Sequence, residues 1–297
     1  MPLGRLGVWA SLDAMPAARA AAFAQKVEGW GYGALWIPES RGRNALVLGS
    51  FLLASTRALT VATGIANIYG RDAQATASGQ LALAEQSGGR FLLGLGVSHV
   101  PLVEGVRGHK YGKPVETMRG YLEAMRRATY TAPAPAETPK TVLAALGPNM
   151  LALSASHADG AHPYLVNPEH TRQARRALGA GKLLCPEQTV LGVTDPPRAR
   201  RIARAFVGRY LELPNYRNNL LRLGFAEGDM GGGGSDKLVD AIVAWGDDAA
   251  ISRRVAEHHA AGADHVCIQA LSPDEAAPAL PDERLLAALA PAAHPGR

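Results

Sequence analysis

Apolar residues fall into two alternating patterns along the chain. Short continuous runs bounded by glycine or proline occur at residues 4–10, 34–37, 59–66, 91–96, 141–146, 161–166, 189–193 and 264–270. Such runs are the mark of parallel strands covered on both faces. The seventh run extends back toward Leu183. Between them lie stretches with a helical period: 13–30, 46–54, 73–86, 115–130, 148–157 and 168–178. In the first, Phe23, Val27 and Trp30 recur on one face, Pro16 suits the opening turn and Gly31 and Gly33 stop the helix. After residue 193 the alternation breaks into helices at 196–210, 215–223, 236–245 and 249–261, with a glycine run at 231–234 read as a flexible hinge. A last helix is predicted at 283–289, and the tail from Pro291 on as frayed. Eight strands, each followed by helix, predict an α/β fold: a (β/α)8 TIM barrel, one domain over residues 1–297, with a helical insertion between strands 7 and 8.

In such a barrel the carboxyl ends of the strands converge on one mouth, where ligands bind. Those ends carry Ala10-Ser11, Pro38-Glu39-Ser40-Arg41, Ala66-Asn67-Ile68-Tyr69, Val97-Ser98-His99, Ala145 to Asn149, His162-Pro163-Tyr164 and Gln269. The fourth strand is the sharpest case. Gly94 and Gly96 allow close backbone approach, and Ser98-His99 follow at once as a polar corner. Gly147-Pro148-Asn149 joins a strand to a helix start, where free N–H groups attract phosphate; an ordinary turn has the same look. Glu39 reads as an acid or base at the mouth, or as a structural carboxylate paired with Arg41. His99 reads as a proton donor or a satisfied loop histidine.

Composition narrows the chemistry. No His-x-x-x-His pair or acidic cluster predicts a metal, and no Gly-x-Ser-x-Gly elbow predicts a serine nucleophile. Paired carboxylates for glycoside cleavage would need a second acid beside Glu39, and only Glu104, on a loop, comes near. Cys185 and Cys267 sit in apolar runs and read as buried small hydrophobes. The net charge of +5 is spread over helices without a nucleic-acid reading motif, so no nucleic-acid partner is expected. The first residues run directly into a strand and no apolar run reaches membrane-spanning length; no membrane association and a cytoplasmic location are expected.

Four stretches, in this order, resemble the luciferase-like monooxygenase superfamily, and within it the branch using the deazaflavin coenzyme F-420. They are Leu35-Trp36-Ile37-Pro38-Glu39, residues 61–68 (Val-Ala-Thr-Gly-Ile-Ala-Asn-Ile), residues 89–99 (Gly-Arg-Phe-Leu-Leu-Gly-Leu-Gly-Val-Ser-His) and residues 261–266. The resemblance implies an oxidoreductase moving a hydride between coenzyme F-420 and a small organic substrate. It implies a strand-three bulge, often with a non-proline cis peptide, at Gly64-Ile65-Ala66, with Asn67 beside it. It places the coenzyme along Gly96, Val97, Ser98 and His99, its phosphate at Gly147, Pro148, Asn149 and Met150, and His162, Pro163 and Tyr164 on its flank. It also implies a homodimer paired through helices two and three. Dehydrogenases of the family carry a histidine after strand two, where this chain has Pro38-Glu39-Ser40. Glu39 and His99 are therefore the candidate catalytic residues. The alternatives are an FMN-dependent monooxygenase of the same fold and a non-catalytic relative that binds a coenzyme.

Overall fold

The computed structural model describes residues 3–293; the expectations for the chain's first two and last four residues lie outside them. The strands are β1 (Leu6–Trp9), β2 (Ala34–Ile37), β3 (Thr60–Thr63), β4 (Ala66–Asn67), β5 (Phe91–Gly96), β6 (Thr141–Leu143), β7 (Gly160–Ala161), β8 (Leu183–Leu184), β9 (Glu187–Leu191), β10 (Ala244–Trp245) and β11 (Val266–Ala270). All of their pairings are parallel, in the order β10-β9-β11-β1-β2-β3-β5-β6-β7-β8, with β4 beside β5. β8 and β9 are one run of chain interrupted at Cys185-Pro186. Cys185 N–H reaches Ala161 O on one side (2.9 Å), and Pro186 O receives Cys267 N–H on the other (3.0 Å), so the sheet closes on itself. β3 and β4 are likewise one strand broken at Gly64-Ile65. Counted this way, and with the two-residue β10 set aside as a short ladder that the insertion adds to β9, the barrel has the eight strand positions expected.

Helices α1 (Ala17–Gly29), α2 (Ala45–Ser55), α3 (Ala73–Gln86), α4 (Val100–Val103), α5 (Pro114–Arg126), α6 (Pro148–His157) and α7 (Pro168–Leu178) follow the strands. The insertion between β9 and β11 holds α8 (Pro196–Leu211), α9 (Pro214–Arg222), α10 (Asp236–Ile242) and α11 (Asp248–Ala260), and α12 (Glu283–Ala288) closes the chain. Side-chain caps set several of these starts. Asn44, Asp72, Asn167, Asp195 and Asp247 each accept N–H groups that a first turn leaves free. The outer core packs Phe23, Val27, Leu52, Leu93 and Ile268 between sheet and helices. A separate apolar cluster around Phe206, Val207, Leu220 and Leu238 lets the insertion sit on the barrel as a packed body.

Three expectations need correction. The sixth run forms a strand only at Gly160–Ala161; His162 N–H and Pro163 O still bond to the neighbouring strands, and from Tyr164 the chain turns out of the sheet, with Leu165 at φ +57°. The helix predicted over 236–245 stops at Ile242, because the buried edge of β9 offers Ala244 and Trp245 a ladder. The glycine run is no free hinge. Arg204 donates to Gly234 O (2.8 Å), and Asp229 accepts from Ser235 Oγ (2.8 Å) and Ala226 N–H (3.0 Å).

Candidate functional site

The break in strand three is a cis peptide between Gly64 and Ile65. Trp9 Nε1 donates to Gly64 O (3.0 Å), which fixes the bulge from inside the barrel. Gly94 and Gly96 are required by the same feature. A Cβ on Gly94 would lie 2.0 Å from Thr63 O, and one on Gly96 2.5 Å from Ile65 Cδ1. The glycines read from sequence as sites of close approach are thus the seat of the bulge. Asn67, next along, is wholly buried. Its Oδ1 accepts Tyr69 N–H (2.9 Å), while its Nδ2 makes no hydrogen bond among the described residues.

Past β5 the chain turns sharply. Ser98 takes a left-handed conformation, φ +58°, which is uncommon for a side chain of its kind. His99 then caps α4 and packs its ring 5.7 Å from that of Tyr216 on α9, with a hydrogen bond to the Asn215 side chain. Burial lowers the His99 pKa and outweighs the opposing effect of Asn215. A neutral imidazole at the mouth can accept a proton at neutral pH.

Opposite stands a tyrosine cluster. Tyr164 donates to Gln269 Oε1 (2.7 Å), so the 2.8 Å contact with Tyr210 is a bond donated by Tyr210. Tyr216 packs edge-on against Tyr210, 5.2 Å between ring centres. Burial raises all three phenol pKa values, which keeps these hydroxyls protonated. Below them lies Glu187, wholly buried, accepting from Thr189 Oγ1 (2.6 Å) and Leu165 N–H (3.2 Å). Burial pushes its pKa up to about 7.

The remaining predicted residues divide clearly. His162 lies in the barrel interior, stacked on Trp36 at 4.3 Å. Its Nδ1–H donates to Cys185 O (2.7 Å), leaving Nε2 as a buried lone pair with no hydrogen bond among the described residues. Gly147 caps α6, whose first turn carries Pro148, Asn149 and Met150, with no side-chain cap of its own. Arg222 reaches over that helix start: its Nη2 is 3.4 Å from where a Cβ on Gly147 would be. Arg222 makes no ion pair among the described residues, and the buried Asn219 beside it leaves its Nδ2 unbonded. Pro163 O accepts Glu187 N–H (2.9 Å) in the wall below the tyrosines.

Glu39 is buried and fully engaged. It accepts Ala45 N–H (3.2 Å) at the start of α2 and Asn67 N–H (2.9 Å), and it pairs with Arg71. The partner is Arg71, not Arg41 as expected from sequence, because the turn after β4 brings Arg71 back over β2. No cluster of three metal-ligating side chains is present among the described residues. The two cysteines are buried free thiols with raised pKa values, as expected.

Sequence reading missed Trp9, Glu187, Tyr210, Tyr216, Asn219 and Arg222. Four of the six come from the insertion, whose place over the mouth has no local signal.

The profile of the luciferase-like monooxygenase family matches residues 2–265. A protein of Mycobacterium tuberculosis named as a coenzyme F-420-dependent oxidoreductase is 32% identical over 128 residues; the match spans 43% of this chain and 36% of that protein. Among solved structures, an F-420-dependent secondary alcohol dehydrogenase in complex with an F-420–acetone adduct superposes with a TM-score of 0.76 at 14% identity, covering 97% of this chain and 98% of that one. An FMN-bound 3,6-diketocamphane monooxygenase from a Pseudomonas putida plasmid superposes with a TM-score of 0.69 at 13% identity, covering 97% and 98%. The closed parallel barrel, the insertion after its seventh strand and the profile match over most of the chain agree: this protein belongs to the luciferase-like monooxygenase family.

Proposed function

We propose that the protein is an oxidoreductase that moves a hydride between coenzyme F-420 and a small organic substrate. The observation that carries the reading is the mouth itself: a bulged strand three, a neutral histidine and a tyrosine wall face one another above a closed barrel. The relative from Mycobacterium tuberculosis and the F-420-bound neighbour support the choice of coenzyme.

The residues present suit such a group. Asn219 Nδ2, beside Arg222, is a buried donor with no acceptor among the described residues, and burying it so is costly unless a ligand supplies one. The bulge at Gly64, Ile65 and Ala66, with Gly96, Val97 and Ser98, would hold the flat ring. The start of α6 at Gly147 and Met150, with Arg222, would hold a phosphate through backbone N–H groups, helix dipole and guanidinium together. When bound, the deazaflavin supplies or takes up the hydride. The protein orients the substrate, keeps water out with Tyr164, Tyr210 and Tyr216, and moves one proton at a His99 ring nitrogen.

His99→Ala is expected to lower kcat/KM by ~10²–10⁴-fold, the usual contribution of a positioned acid or base. Wild-type kcat/KM should fall on the acid side with an inflection below the ordinary histidine value, and that limb should be absent from the variant. An unchanged pH profile in His99→Ala would remove His99 from the proton path.

The second reading is an FMN-dependent monooxygenase, favoured by the FMN-bound neighbour of comparable similarity. Fluorescence titration of the protein with coenzyme F-420 and with FMN decides between them. Selective micromolar or tighter binding of the deazaflavin is the expected result; preference for FMN supports the monooxygenase, and binding of neither supports the non-catalytic relative. The homodimer belongs to the same proposal: Val47 and Phe51 on α2 are exposed, as a pairing face would require, and sedimentation mass tests it. No helix among the described residues is long and apolar enough to cross a membrane.

A further inference from the structure

Three buried donors around the Glu39 carboxylate make no hydrogen bond among the described residues: Arg71 Nη1, Arg107 Nε and Asn67 Nδ2. They belong to one place. Arg71 pairs with Glu39 through its other terminal nitrogen, and Asn67 N–H donates to Glu39 Oε2. A Cβ on Gly70 would lie 3.4 Å from Glu39 Oε2 and 3.5 Å from Arg107 Nη1, so the second guanidinium lies against the same turn. The Arg71 side chain is 9% exposed and Asn67 is fully buried. Arg71 therefore holds the Glu39 carboxylate, while Arg107 lies against the same turn and makes no ion pair among the described residues.

The loop that carries Arg107 is tied down over this corner. Gly112 N–H donates to Tyr69 Oη (2.9 Å), Tyr111 stacks on Tyr69 at 5.9 Å, and Tyr111 Oη donates to Ser98 O (3.2 Å). Glu104 accepts Tyr111 N–H (3.0 Å), so this acid braces the loop. The corner thus runs from Ser98, beside His99, through Tyr111 and Tyr69 to the arginines. Leaving Arg71 Nη1, Arg107 Nε and Asn67 Nδ2 buried without acceptors is unfavourable, and an anion would complete them. A planar carboxylate matches a guanidinium edge, with the Asn67 amide as a further donor.

We propose that Arg71, Arg107 and the Asn67 amide form a carboxylate-binding site at the barrel mouth, next to the His99 wall. The carboxylate comes from the substrate or from the glutamyl tail of coenzyme F-420, and either assignment rests on the oxidoreductase reading; the site itself does not.

The test uses the full-length protein without coenzyme, titrated calorimetrically with succinate and with benzoate at constant ionic strength. Saturable binding is expected, weakened ~10–100-fold by Arg107→Gln as for the loss of a charge-assisted bond. Arg107→Lys, which keeps the charge but loses the fork, should fall between. Lys110→Gln, an exposed lysine of the same loop, should bind as wild type. Melting curves establish that each variant is folded. Binding that never saturates, or that Arg107→Gln and Lys110→Gln affect equally, overturns the site. Titrations with coenzyme F-420 and with its ribityl fragment, lacking phosphate and glutamates, then separate the sources. If Arg107→Gln weakens F-420 and spares the fragment, the tail supplies the carboxylate; if it spares both, the substrate does. Failure of wild-type protein to bind F-420 would sink the coenzyme assignment while leaving the carboxylate titration readable.

Discussion

Between pH 6.5 and 4.5 the protein is expected to lose about 5 kcal/mol of folding stability, of the order of a domain's entire margin. Three buried histidines set the direction. Burial lowers the pKa of His162 and His265 to about 4 and that of His258 to about 3. Their hydrogen bonds match the neutral ring. His265 donates from Nδ1 to Gly4 O (2.9 Å) and accepts at Nε2 from Trp36 Nε1 (3.0 Å), so a second proton would set donor against donor. His162 donates to Cys185 O, and a proton on Nε2 would face no acceptor among the described residues. His258 faces Gln188 Oε1 (2.9 Å) and Thr171 Oγ1 (2.8 Å). The Gln188 orientation is fixed, because its amide nitrogen donates to Thr189 O and Ile242 O. Nε2 of His258 therefore carries the proton, and Nδ1 accepts from the threonine.

Each of these groups has its folded pKa below its unfolded value near 6.5. Its contribution is intact above pH 6.5 and is lost as the unfolded chain gains protons below it. Glu187 acts in the opposite sense. Its pKa is raised to about 7, so the folded state gains stability as pH falls from 7 toward the ordinary carboxylate range. These three protons against one leave an excess of two in the unfolded state, a slope of about 3 kcal/mol per pH unit, and His99, His170 and His259, also lowered by burial, act in the same direction. Thermal melts followed by circular dichroism across this window should show Tm dropping steeply, and His258→Gln should flatten the drop. A Tm independent of pH from 6.5 to 4.5 would contradict the neutral assignments.

Glu39→Ala is expected to cost about 3–5 kcal/mol, the penalty for leaving a buried charge without its partner. The substitution removes the acceptor of Ala45 N–H and of Asn67 N–H and strands the Arg71 guanidinium. It loosens the start of α2 and the strand-three bulge together. Urea unfolding gives the number directly. The outcome that would return Glu39 to the chemistry is a variant with near-wild-type stability and abolished turnover. The expected outcome has stability falling in Glu39→Ala and less so in Glu39→Gln, which keeps one acceptor oxygen.

The sequence by itself determined the barrel, because burial on both faces leaves each parallel strand as a short apolar run and each covering helix as a period of three to four. The run at residues 91–96 carried its own signal of close approach in Gly94 and Gly96, and the fold turned that signal into the seat of the bulge. The short predicted seventh strand became longer, 183–191, because closing the barrel requires one segment to reach both β7 and β11. The sixth became shorter because the chain turns out of the sheet at Leu165, which takes a left-handed conformation.

What only the tertiary structure decided are the partners across long separations. Glu39 could be read as acid, base or structural carboxylate, and nothing local indicated that residue 71 would fold back onto it. His99 and His162 are both histidines just past strands, yet one faces the mouth and the other the sealed interior. Tyr210, Tyr216 and Arg222 lie on helices whose sequence pattern reports only their own buried faces; it is the docking of the insertion that brings them over the site. A side chain's periodicity records whether it meets water or core, but which charge or ring it meets depends on contacts that form only once the sheet has closed.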